Sequence, residues 1–314
     1  MHIQRGAWAE INLDAIAHNV QMAKANLKPT TKLCAVVKAD AYGHGAVRVA
    51  QEAARNGADF FAVALLQEGV KLREAGIETP ILVLGSMLPE VAEICVRYDI
   101  SHAVFDEERL YALNAAALKL HTKAKIHIKI DTGMHRIGVH VRDAGRFAKL
   151  AASLPGIYIE GVFSHFATAD ADDKQYAAYQ FARFQEALRL IEAEGVHIPI
   201  RHIANSAALT ELQEYQLDMV RQGITLYGLH PAHMIDCYKD FEPVMTVKTQ
   251  VAFVKTLPPG ETIGYGRTYT LTKPSVIATV PIGYADGVSR RLSNRGYMLV
   301  NGMKAPIVGR VCMD

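Results

Sequence analysis

Polar side chains follow several apolar runs of this sequence, each at the point where the run ends. The run 33–37 is followed directly by Lys38, and the motif HIANSAA places Ser206 just after a later run. A lysine at the tip of a buried strand is partly desolvated, which lowers its pKa and frees the amine to attack an aldehyde. Small residues after a strand leave backbone N–H groups free to bind phosphate. The pair therefore predicts a site for a phosphorylated aldehyde.

The fifth to eighth of these runs end in residues that suit the same site, whereas runs two to four end in mostly apolar or small residues. These are Lys129, Asp131 and Arg136 after the fifth run, His165 after the sixth, Asn205 and Ser206 after the seventh, and Arg221 and Gly223 after the eighth. In α/β barrels, function gathers at the C-terminal ends of the strands, and phosphate is commonly bound after strands seven and eight. A lysine, a phosphate cradle and arginines instead of carboxylates indicate a Schiff-base cofactor, pyridoxal 5'-phosphate.

Each of these residues also has a purely structural interpretation. A lysine at a strand end is commonly a solvated cap, a lone histidine is often a hydrogen-bonded core residue, and arginines form surface ion pairs. His127, Lys129 and Asp131 alternate along one strand face and hint at a metal. However, the sequence has no H-E-x-x-H motif and no clustered carboxylates, so we expect no metal site. The joint occurrence of these residues at one rim favours function.

The elements that would position these residues alternate along the first part of the chain. Asp14 is the expected N-cap of a first amphipathic helix. Strand-like runs follow at 33–37, 59–65, 80–84, 102–105, 126–130, 157–163, 201–204 and 218–221, with helical stretches between them. This order predicts an α/β fold, a (β/α)8 TIM-like barrel. The alternative, a doubly wound sheet, would need a G-x-G-x-x-G motif after the first strand, and KADAYGHG lacks it.

The pattern changes after about residue 240. The stretch 245–287 alternates β-branched and polar residues between glycine and proline turns, which predicts a mostly antiparallel β domain. We therefore predict a barrel over residues 1–240 and a β domain over 241–314. The last residues, APIVGRVCMD, read as part of a strand. We expect the β domain to be C-terminally incomplete.

Composition restricts the class of protein. The 314 residues are 50% hydrophobic and 21% charged, and the net charge of +2 has its signs interspersed, so we expect no nucleic-acid partner. No apolar stretch reaches the ~18 residues of a membrane span, and the N-terminus has no apolar leader, so we expect no membrane partner. Four separated cysteines predict reduced thiols in a cytoplasmic protein: Cys34, Cys95, Cys237 and Cys312.

The motifs, taken together, resemble those of the alanine racemase family. They occur in order along essentially the whole chain: AVVKADAYGHG, KIDTGMHRIG, HIANSAA, RQGITLYG, IGYGRTY, VPIGYADG and GRVCMD. The resemblance implies a barrel, a C-terminal β domain, pyridoxal 5'-phosphate and a homodimer with shared active sites. It also implies interconversion of L- and D-alanine, which supplies D-alanine for peptidoglycan.

The resemblance also implies roles for individual residues. Lys38 corresponds to the lysine that forms the aldimine with the cofactor, and Arg221 to the arginine that faces the pyridine nitrogen. Arg136 resembles the residue that steadies the substrate carboxylate, and Lys129, which is sometimes carbamylated in this family, would position it. The remaining matches are Tyr42, Ser206, Gly223 and Ile224 at the phosphate, His165 between Arg221 and a tyrosine, Tyr265 as the second catalytic base from the partner subunit, Met313 and Asp314 at the substrate, and Tyr284 in the corridor that leads to the site.

Racemisation requires removal of the Cα proton on one face and its return on the other, so two bases are expected. Lys38 would serve one face and Tyr265 the other, with His165 and Arg136 favouring the phenolate. A guanidinium only donates, so a pyridine nitrogen facing Arg221 must stay unprotonated. Such a ring keeps electron density at Cα, which favours a racemase over a transaminase.

Three alternatives remain open from the sequence. A non-catalytic barrel protein that binds pyridoxal phosphate would lack a β domain. A barrel decarboxylase would place a carboxylate at the ring nitrogen, where this chain has Arg221. A serine or broad-specificity racemase would use the same residues, because methyl and hydroxymethyl pockets differ by few contacts.

Overall fold

The computed structural model describes residues 6–231 and 238–314. These residues form two compact units. The larger is Asn12–Val244, and the smaller joins residues 6–11 to Met245–Asp314. The domain division predicted from sequence, 1–240 and 241–314, stays a prediction.

The larger unit contains a parallel sheet that curves into a barrel, as predicted from the sequence. Its strands are β2 (Lys32–Val36), β3 (Phe60–Val63), β4 (Ile81–Val83), β5 (Ser101–Val104), β6 (Ala124–Asp131), β8 (Ile157–Phe163), β9 (Ile200–His202) and β10 (Met219–Gln222), with the short β7 (Val139–His140) paired to β6. The order is β10-β2-β3-β4-β5-β6-β8-β9. Hydrogen bonds from Asp218 N to Arg201 O and from Arg221 N to Ala204 O connect the two end strands. All eight predicted runs coincide with these strands.

Helices connect the strands, as expected for β/α units. They are α1 (Leu13–Ala25), α2 (Lys38–Gly43), α3 (Ala46–Arg55), α4 (Leu66–Glu74), α5 (Ala92–Arg97), α6 (Glu107–Lys119), α7 (Ala144–Ser153), α8 (Gln175–Ala193) and α9 (Ser206–Glu211). The prediction of Asp14 as the first N-cap is wrong. Asn12 caps α1, because its side-chain oxygen accepts a hydrogen bond from Ala15 N over 3.2 Å.

Several strands of the barrel contribute residues to an apolar cluster. One cluster comprises Cys34, Val36, Phe60, Ala62, Leu82, Ile200 and Met219, all buried. Burying one such large side chain contributes roughly 1.5–3 kcal/mol to stability. The packed core therefore fixes the ends of the strands, and with them the backbone of the polar residues that follow.

The element after β2 is unusual because it is left-handed. Ala39, Asp40, Ala41 and Tyr42 all have φ between 52° and 55°, a conformation that costs an L-residue roughly 1–2 kcal/mol. Asp40 stabilises the turn, because its carboxylate accepts from Ala46 N over 3.0 Å and pairs with Lys71. The turn behind Lys38 is thus a constrained structure, although its composition reads as a flexible loop.

The smaller unit is built from antiparallel strand pairs, as predicted for the C-terminal part. The pairs are β1 (Ala7–Ile11) with β11 (Met245–Thr249), β12 (Phe253–Leu257) with β15 (Ser275–Thr279), β13 (Thr262–Ile263) with β14 (Tyr269–Thr270), and β16 (Tyr297–Val300) with β17 (Met303–Pro306). Short 3-10 turns lie at Tyr265–Arg267, Tyr284–Asp286 and Arg290–Leu292. The chain therefore contributes its first described strand to the same unit as its last ones.

Cys34, Cys95 and Cys312 have free thiols, and Cys237 lies outside the described residues. Within the described ranges, no three His, Cys, Asp or Glu side chains are grouped to hold a metal ion. The described helices include none that is both long and apolar enough to cross a membrane.

Candidate active site

Lys38 lies at the carboxyl end of β2 and begins the left-handed turn. Burial, with the charges of Arg136 and Arg221, lowers the pKa of Lys38, while the carboxylate of Glu68 opposes this shift. Glu68 also accepts a hydrogen bond from Ala39 N over 2.6 Å. Its second oxygen accepts from Ala64 N over 2.8 Å. One carboxylate therefore joins the tips of β2 and β3 directly behind the lysine.

Arg221 is one of two deeply buried cations of the rim, with Lys129. It is 3% exposed, and burial lowers its pKa to about 10. Its Nη1 donates to His202 Nδ1 over 2.7 Å, and its Nη2 donates to His165 Nδ1 over 2.9 Å. Nη2 also donates to the carbonyl oxygens of Ser164 and Ile203. Among the described residues, the guanidinium has no carboxylate partner and its Nε–H has no acceptor.

His165 follows β8, where its ring nitrogen Nδ1 accepts from Arg221. Burial, then the charges of Arg221, Lys129 and other rim cations, lowers the pKa of His165 well below its ordinary range. The ring is therefore neutral, with its proton on Nε2. Gln180 of α8 holds this loop, because its amide donates to His165 O over 3.1 Å and accepts from Ala167 N over 2.8 Å.

Lys129 and Arg136 place two further cations near the rim. Lys129 is buried, and its Nζ lies 5.2 Å from the centre of the Phe163 ring and 3.0 Å from Ile130 O. Burial, reinforced by the charge of Arg221, lowers the pKa of Lys129 to about 7. Arg136 is exposed, and its charge lowers the pKa of Lys38, Lys129 and His165.

Ser206, Gly223 and Tyr42 converge at one point. Ser206, the first residue of α9, accepts at Oγ from Gly223 N over 2.8 Å and from Thr225 Oγ1 over 3.2 Å. A Cβ added at Gly223 would lie 3.3 Å from Tyr42 Oη and 3.6 Å from Ser206 Oγ. Ile224 follows Gly223 as the first residue of a 3-10 turn. Two hydroxyls and the N-terminal N–H groups of two short helical elements thus lie around Gly223, where a Cβ would make a tight contact with Tyr42 Oη.

Aromatic contacts fix Tyr42 in this arrangement. Its ring centre lies 4.8 Å from that of Tyr227, whose hydroxyl donates to Val36 O over 2.9 Å. His44 also packs against Tyr227, with the two ring centres 4.5 Å apart. Burial raises the pKa of Tyr42, so its phenol remains a neutral donor at physiological pH.

These residues fit pyridoxal 5'-phosphate. The space at Gly223 is lined by hydroxyl and N–H donors that suit a phosphate, and Lys38 provides an amine of lowered pKa for an aldehyde. The unpartnered Nε–H of Arg221 suits a pyridine nitrogen that only accepts. All of these groups belong to the barrel unit.

The smaller unit carries the other predicted site residues in a cleft of its own. The cleft has a volume of about 630 Å³ and is lined by Tyr265, Tyr284, Arg290, Arg310, Val311, Cys312, Met313 and Asp314. Hydrogen bonds from Tyr284 N to Cys312 O and from Ala285 N to Met313 O join its two walls. The guanidinium of Arg290 lies 5.7 Å from the centre of the Tyr284 ring. Tyr265 is 74% exposed.

The predicted residues therefore fall into two groups. The barrel unit contains Lys38, Tyr42, Lys129, Arg136, His165, Ser206, Arg221, Gly223 and Ile224. The smaller unit brings together Tyr265, Tyr284, Met313 and Asp314. Sequence reasoning missed Glu68, Gln180 and His202, which hold the site residues from behind. Only His202 had a signal, since it begins the HIANSAA motif.

Comparisons with known proteins agree with this geometry. Residues 11–231 match the family described as "Alanine racemase, N-terminal domain", and residues 244–314 match "Alanine racemase, C-terminal domain". An alanine racemase of Desulfovibrio desulfuricans is 47% identical over 310 residues, which is 99% of this chain and 84% of the relative. One of Halothermothrix orenii is also 47% identical, over 99% of this chain and 82% of the relative.

Solved structures give the same result. The alanine racemase of Clostridium difficile superposes with a TM-score of 0.94 at 40% identity, over 100% of this chain and 82% of that one. The Bacillus anthracis enzyme with bound L-Ala-P gives a TM-score of 0.92 at 39% identity, over the same shares. The fold, the rim residues and the matched sequence lead to one conclusion: the chain belongs to the alanine racemase family.

Proposed function

We propose that this protein is an isomerase that interconverts L-alanine and D-alanine by moving the Cα proton between two bases, Lys38 and Tyr265. The observation that carries the proposal is the pairing, at one rim, of a lysine of lowered pKa with a buried arginine that has no carboxylate partner among the described residues. Family membership supports the racemase activity. The product would supply D-alanine for peptidoglycan.

The family depends on pyridoxal 5'-phosphate, and the barrel residues would hold it. Tyr42, Ser206, Gly223 and Ile224 would bind the phosphate through hydroxyl and backbone N–H groups. Arg221 would donate to the ring nitrogen, which therefore remains unprotonated. When bound, the cofactor supplies the aldehyde that takes up amines and the ring that acidifies Cα.

Lys38 would act as the base on one face of the substrate. Its lowered pKa raises the fraction of neutral amine near neutral pH, and only the neutral amine can accept a proton. The left-handed turn and Glu68 fix the backbone that directly follows Lys38. Preorganisation of this kind lowers the entropic cost of proton transfer.

Tyr265 would act as the base on the opposite face, from a second copy of the chain. A free phenol has a pKa of about 10 and needs neighbouring donors to become a base. His165 offers its Nε2–H, because its Nδ1 is held by Arg221. Arg136 offers a second positive charge and would also bind the substrate carboxylate, with Met313 lining the substrate from the same copy as Tyr265.

Lys129 would position Arg136. Its pKa of about 7 leaves much of the amine neutral at physiological pH, and the neutral amine adds to carbon dioxide to give a carbamate and one released proton. The resulting anion would attract the guanidinium of Arg136. Without carbon dioxide, Lys129 repels Arg136 whenever it is protonated.

We further propose that the protein works as a homodimer in the cytoplasm. Tyr265 is exposed in its own unit, which supports a role towards another copy. Family membership supports the cytoplasmic location. The barrel over 1–240 would bind the cofactor, and the β domain over 241–314 would present the second base.

A chiral assay tests the proposal directly. Purified protein is incubated with pyridoxal 5'-phosphate and with L-alanine or L-serine in separate reactions, and the D-enantiomers are quantified. We expect conversion of L-alanine to an equal mixture of enantiomers and much slower conversion of L-serine. Faster conversion of serine would indicate a serine or broad-specificity racemase, and conversion of neither would favour a non-catalytic cofactor-binding barrel.

A further inference from the structure

A chain of polar side chains runs from Arg221 into the barrel interior, away from the rim. Arg221 Nη1 donates to His202 Nδ1 over 2.7 Å. His202 Nε2 lies 2.9 Å from His127 Nδ1, and His127 Nε2 lies 3.0 Å from Glu160 Oε2. Both histidines are fully buried, and Glu160 is 13% exposed at its side chain. The chain therefore connects a rim residue to a carboxylate on β8 through two imidazoles.

Hydrogen-bond chemistry allows only one direction for this chain. A guanidinium only donates, so His202 Nδ1 must accept and the ring proton lies on Nε2. His202 Nε2–H then donates to His127 Nδ1, which places the proton of His127 on Nε2. An ionised carboxylate only accepts, so Glu160 completes the chain without a clash of donors. A protonated, doubly donating ring at either position would face another donor.

The pKa shifts of Glu160 and His202 agree with this direction of the hydrogen bonds. Burial favours the neutral acid of Glu160, but hydrogen bonds from His127 and Ser101 and the charge of Lys125 outweigh it and hold its pKa below the ordinary value. Burial, then the charge of Arg221, lowers the pKa of His202 well below its ordinary range. This shift favours the neutral ring of His202 beside the Arg221 cation.

Neighbouring residues pack closely around the two histidines of this hydrogen-bond chain. A Cβ on Gly161 would lie 2.5 Å from His127 Nδ1, so only glycine admits this ring. Phe163 stacks on His202, with ring centres 5.0 Å apart and planes 8° apart. Both rings are therefore packed closely against their neighbours, which restricts their movement.

We propose that Glu160 is a positioning residue for the reaction and acts on Arg221 through His127 and His202. It supplies the final acceptor that fixes both imidazoles, and the fixed ring of His202 holds Nη1 of Arg221. The rigid guanidinium then keeps Nη2 on His165 Nδ1. Without that acceptor, His127 carries a buried unsatisfied N–H, and moving its proton to Nδ1 would oppose the N–H of His202. The catalytic consequence rests on the proposed function, whereas the direction of the chain does not.

Nitrogen NMR on protein labelled with [15N]histidine tests the direction. Signals of His127 and His202 are assigned by their loss in His127→Gln and His202→Gln. In the unsubstituted protein we expect both rings to be neutral with the proton on Nε2. A proton on Nδ1 of either ring would overturn the proposal, whether or not the protein racemises alanine.

Two substitutions at Glu160 and one matched control test the effect on catalysis. Glu160→Leu removes the acceptor, and we expect shifted His202 signals and a fall in kcat of about tenfold or more, with little change in KM. Glu160→Gln keeps an acceptor oxygen and is expected to preserve the His202 signals and lose less activity. Ser101→Ala removes another hydrogen bond to the same oxygen, and here we expect unchanged His202 signals and kcat within about twofold.

The outcomes separate a positioning role from a merely structural one. Equal effects of Glu160→Leu and Ser101→Ala, or a fall in kcat without any change at His202, would contradict the proposal. If Glu160→Leu does not fold, two tests of the proposal remain: the tautomers of His127 and His202 in the unsubstituted protein, and the comparison of Glu160→Gln with Ser101→Ala. Absence of racemase activity in the unsubstituted protein counts against the proposed function and leaves the NMR result intact.

Discussion

The barrel rim and the cleft of the smaller unit hold their polar groups in opposite ways. In the rim, Arg221 is 3% exposed and donates to His202, His165 and two carbonyl oxygens. In the cleft, Tyr265 is 74% exposed, and its hydroxyl has no hydrogen-bond partner among the described residues. The rim is preorganised by its own chain, whereas the cleft presents its groups to the outside.

This difference indicates different roles for the rim and the cleft in cofactor binding and catalysis. Preorganised donors in a dry site act on charge without reorganising, so the rim suits cofactor binding and pKa control. An exposed phenol gains such an environment only when another surface covers it. Substitutions in the rim should therefore impair cofactor binding and catalysis together, whereas substitutions in the cleft should impair catalysis alone.

The largest effect is expected for Lys38→Ala. Racemisation should fall by roughly 10⁴-fold or more, because both the covalent anchor and one base are lost. Borohydride treatment with the cofactor should leave a pyridoxyl group on the VVKADAYG peptide of the unsubstituted protein and none on the variant, as read by mass spectrometry. Lys32→Ala, an exposed lysine at the start of the same strand, is the control and should be labelled normally. Labelling of Lys129 instead of Lys38 would refute this assignment.

Tyr265→Phe should separate the two regions. We expect a loss of activity of roughly 10²–10⁴-fold, since one general base is missing. The yield of pyridoxyl label on Lys38 should be unchanged, because the rim is intact. Tyr269→Phe removes a nearby exposed hydroxyl on β14 and should have little effect. A loss of cofactor in Tyr265→Phe would contradict the division between rim and cleft.

Glu68→Gln should have an intermediate effect within the rim. The amide cannot accept at both ends, so either Ala39 N or Ala64 N loses its partner, and the strained turn is held less firmly. We expect faster loss of cofactor on dialysis, by about tenfold, followed by absorbance. Glu74→Gln on the same helix removes a surface carboxylate that accepts from Tyr98 Oη, and serves as the control. Equal retention in both variants would show that Glu68 does not support the lysine.

The smallest effect concerns stability and Lys129. Its pKa is about 7 in the folded protein and 10.5 ordinarily, so between these values the unfolded chain binds more protons. The free energy of unfolding therefore rises with pH in this window, and the cost of burying Lys129 is full below pH 7 and absent above 10.5. Lys129→Met lacks this dependence. In urea titrations without bicarbonate, we expect Lys129→Met to have a higher free energy of unfolding than the unsubstituted protein at about pH 7, and this difference to shrink towards about pH 10. The same difference at every pH would refute the lowered pKa of Lys129.

The sequence predicts the barrel well because local signals agree with tertiary structure. Strands such as Phe60–Val63 and Ile81–Val83 are short, apolar and buried on both faces. Each therefore stands out in the sequence as a continuous apolar run, without the roughly 3.6-residue pattern of a helix. The strand Ala7–Ile11 escaped prediction, because its partner Met245–Thr249 is more than 230 residues away and only tertiary pairing defines it. The N-cap at Asn12 was missed because Asp14, two residues later, is an equally good capping residue by type.

The candidate site shows the same limit at finer scale. Lys38 and Arg221 could be found because they end apolar runs. The left-handed turn after Lys38 could not, because alanine and tyrosine avoid positive φ and adopt it here only under contacts from Asp40 and Glu68. The alternation of His127 with Lys129 hinted at a metal, whereas His127 contacts His202 and Glu160.

We propose that one active site combines the rim of one copy, with Lys38, and the cleft of another, with Tyr265. Lys38→Ala and Tyr265→Ala homodimers should each be nearly inactive, because every site lacks one base. Mixed in equal amounts with subunit exchange, about half of the dimers contain one of each, and each of these has one intact site and one doubly damaged site. Exchange is confirmed separately by tag pull-down or by mass.

We expect recovery of roughly a quarter of the unsubstituted activity in this mixture, because half of the dimers regain one of their two sites. If the lysine and the tyrosine came from the same chain, every site in a mixed dimer would still lack a base. No recovery after confirmed exchange would contradict the shared site and leave the assignment of Lys38 unchanged.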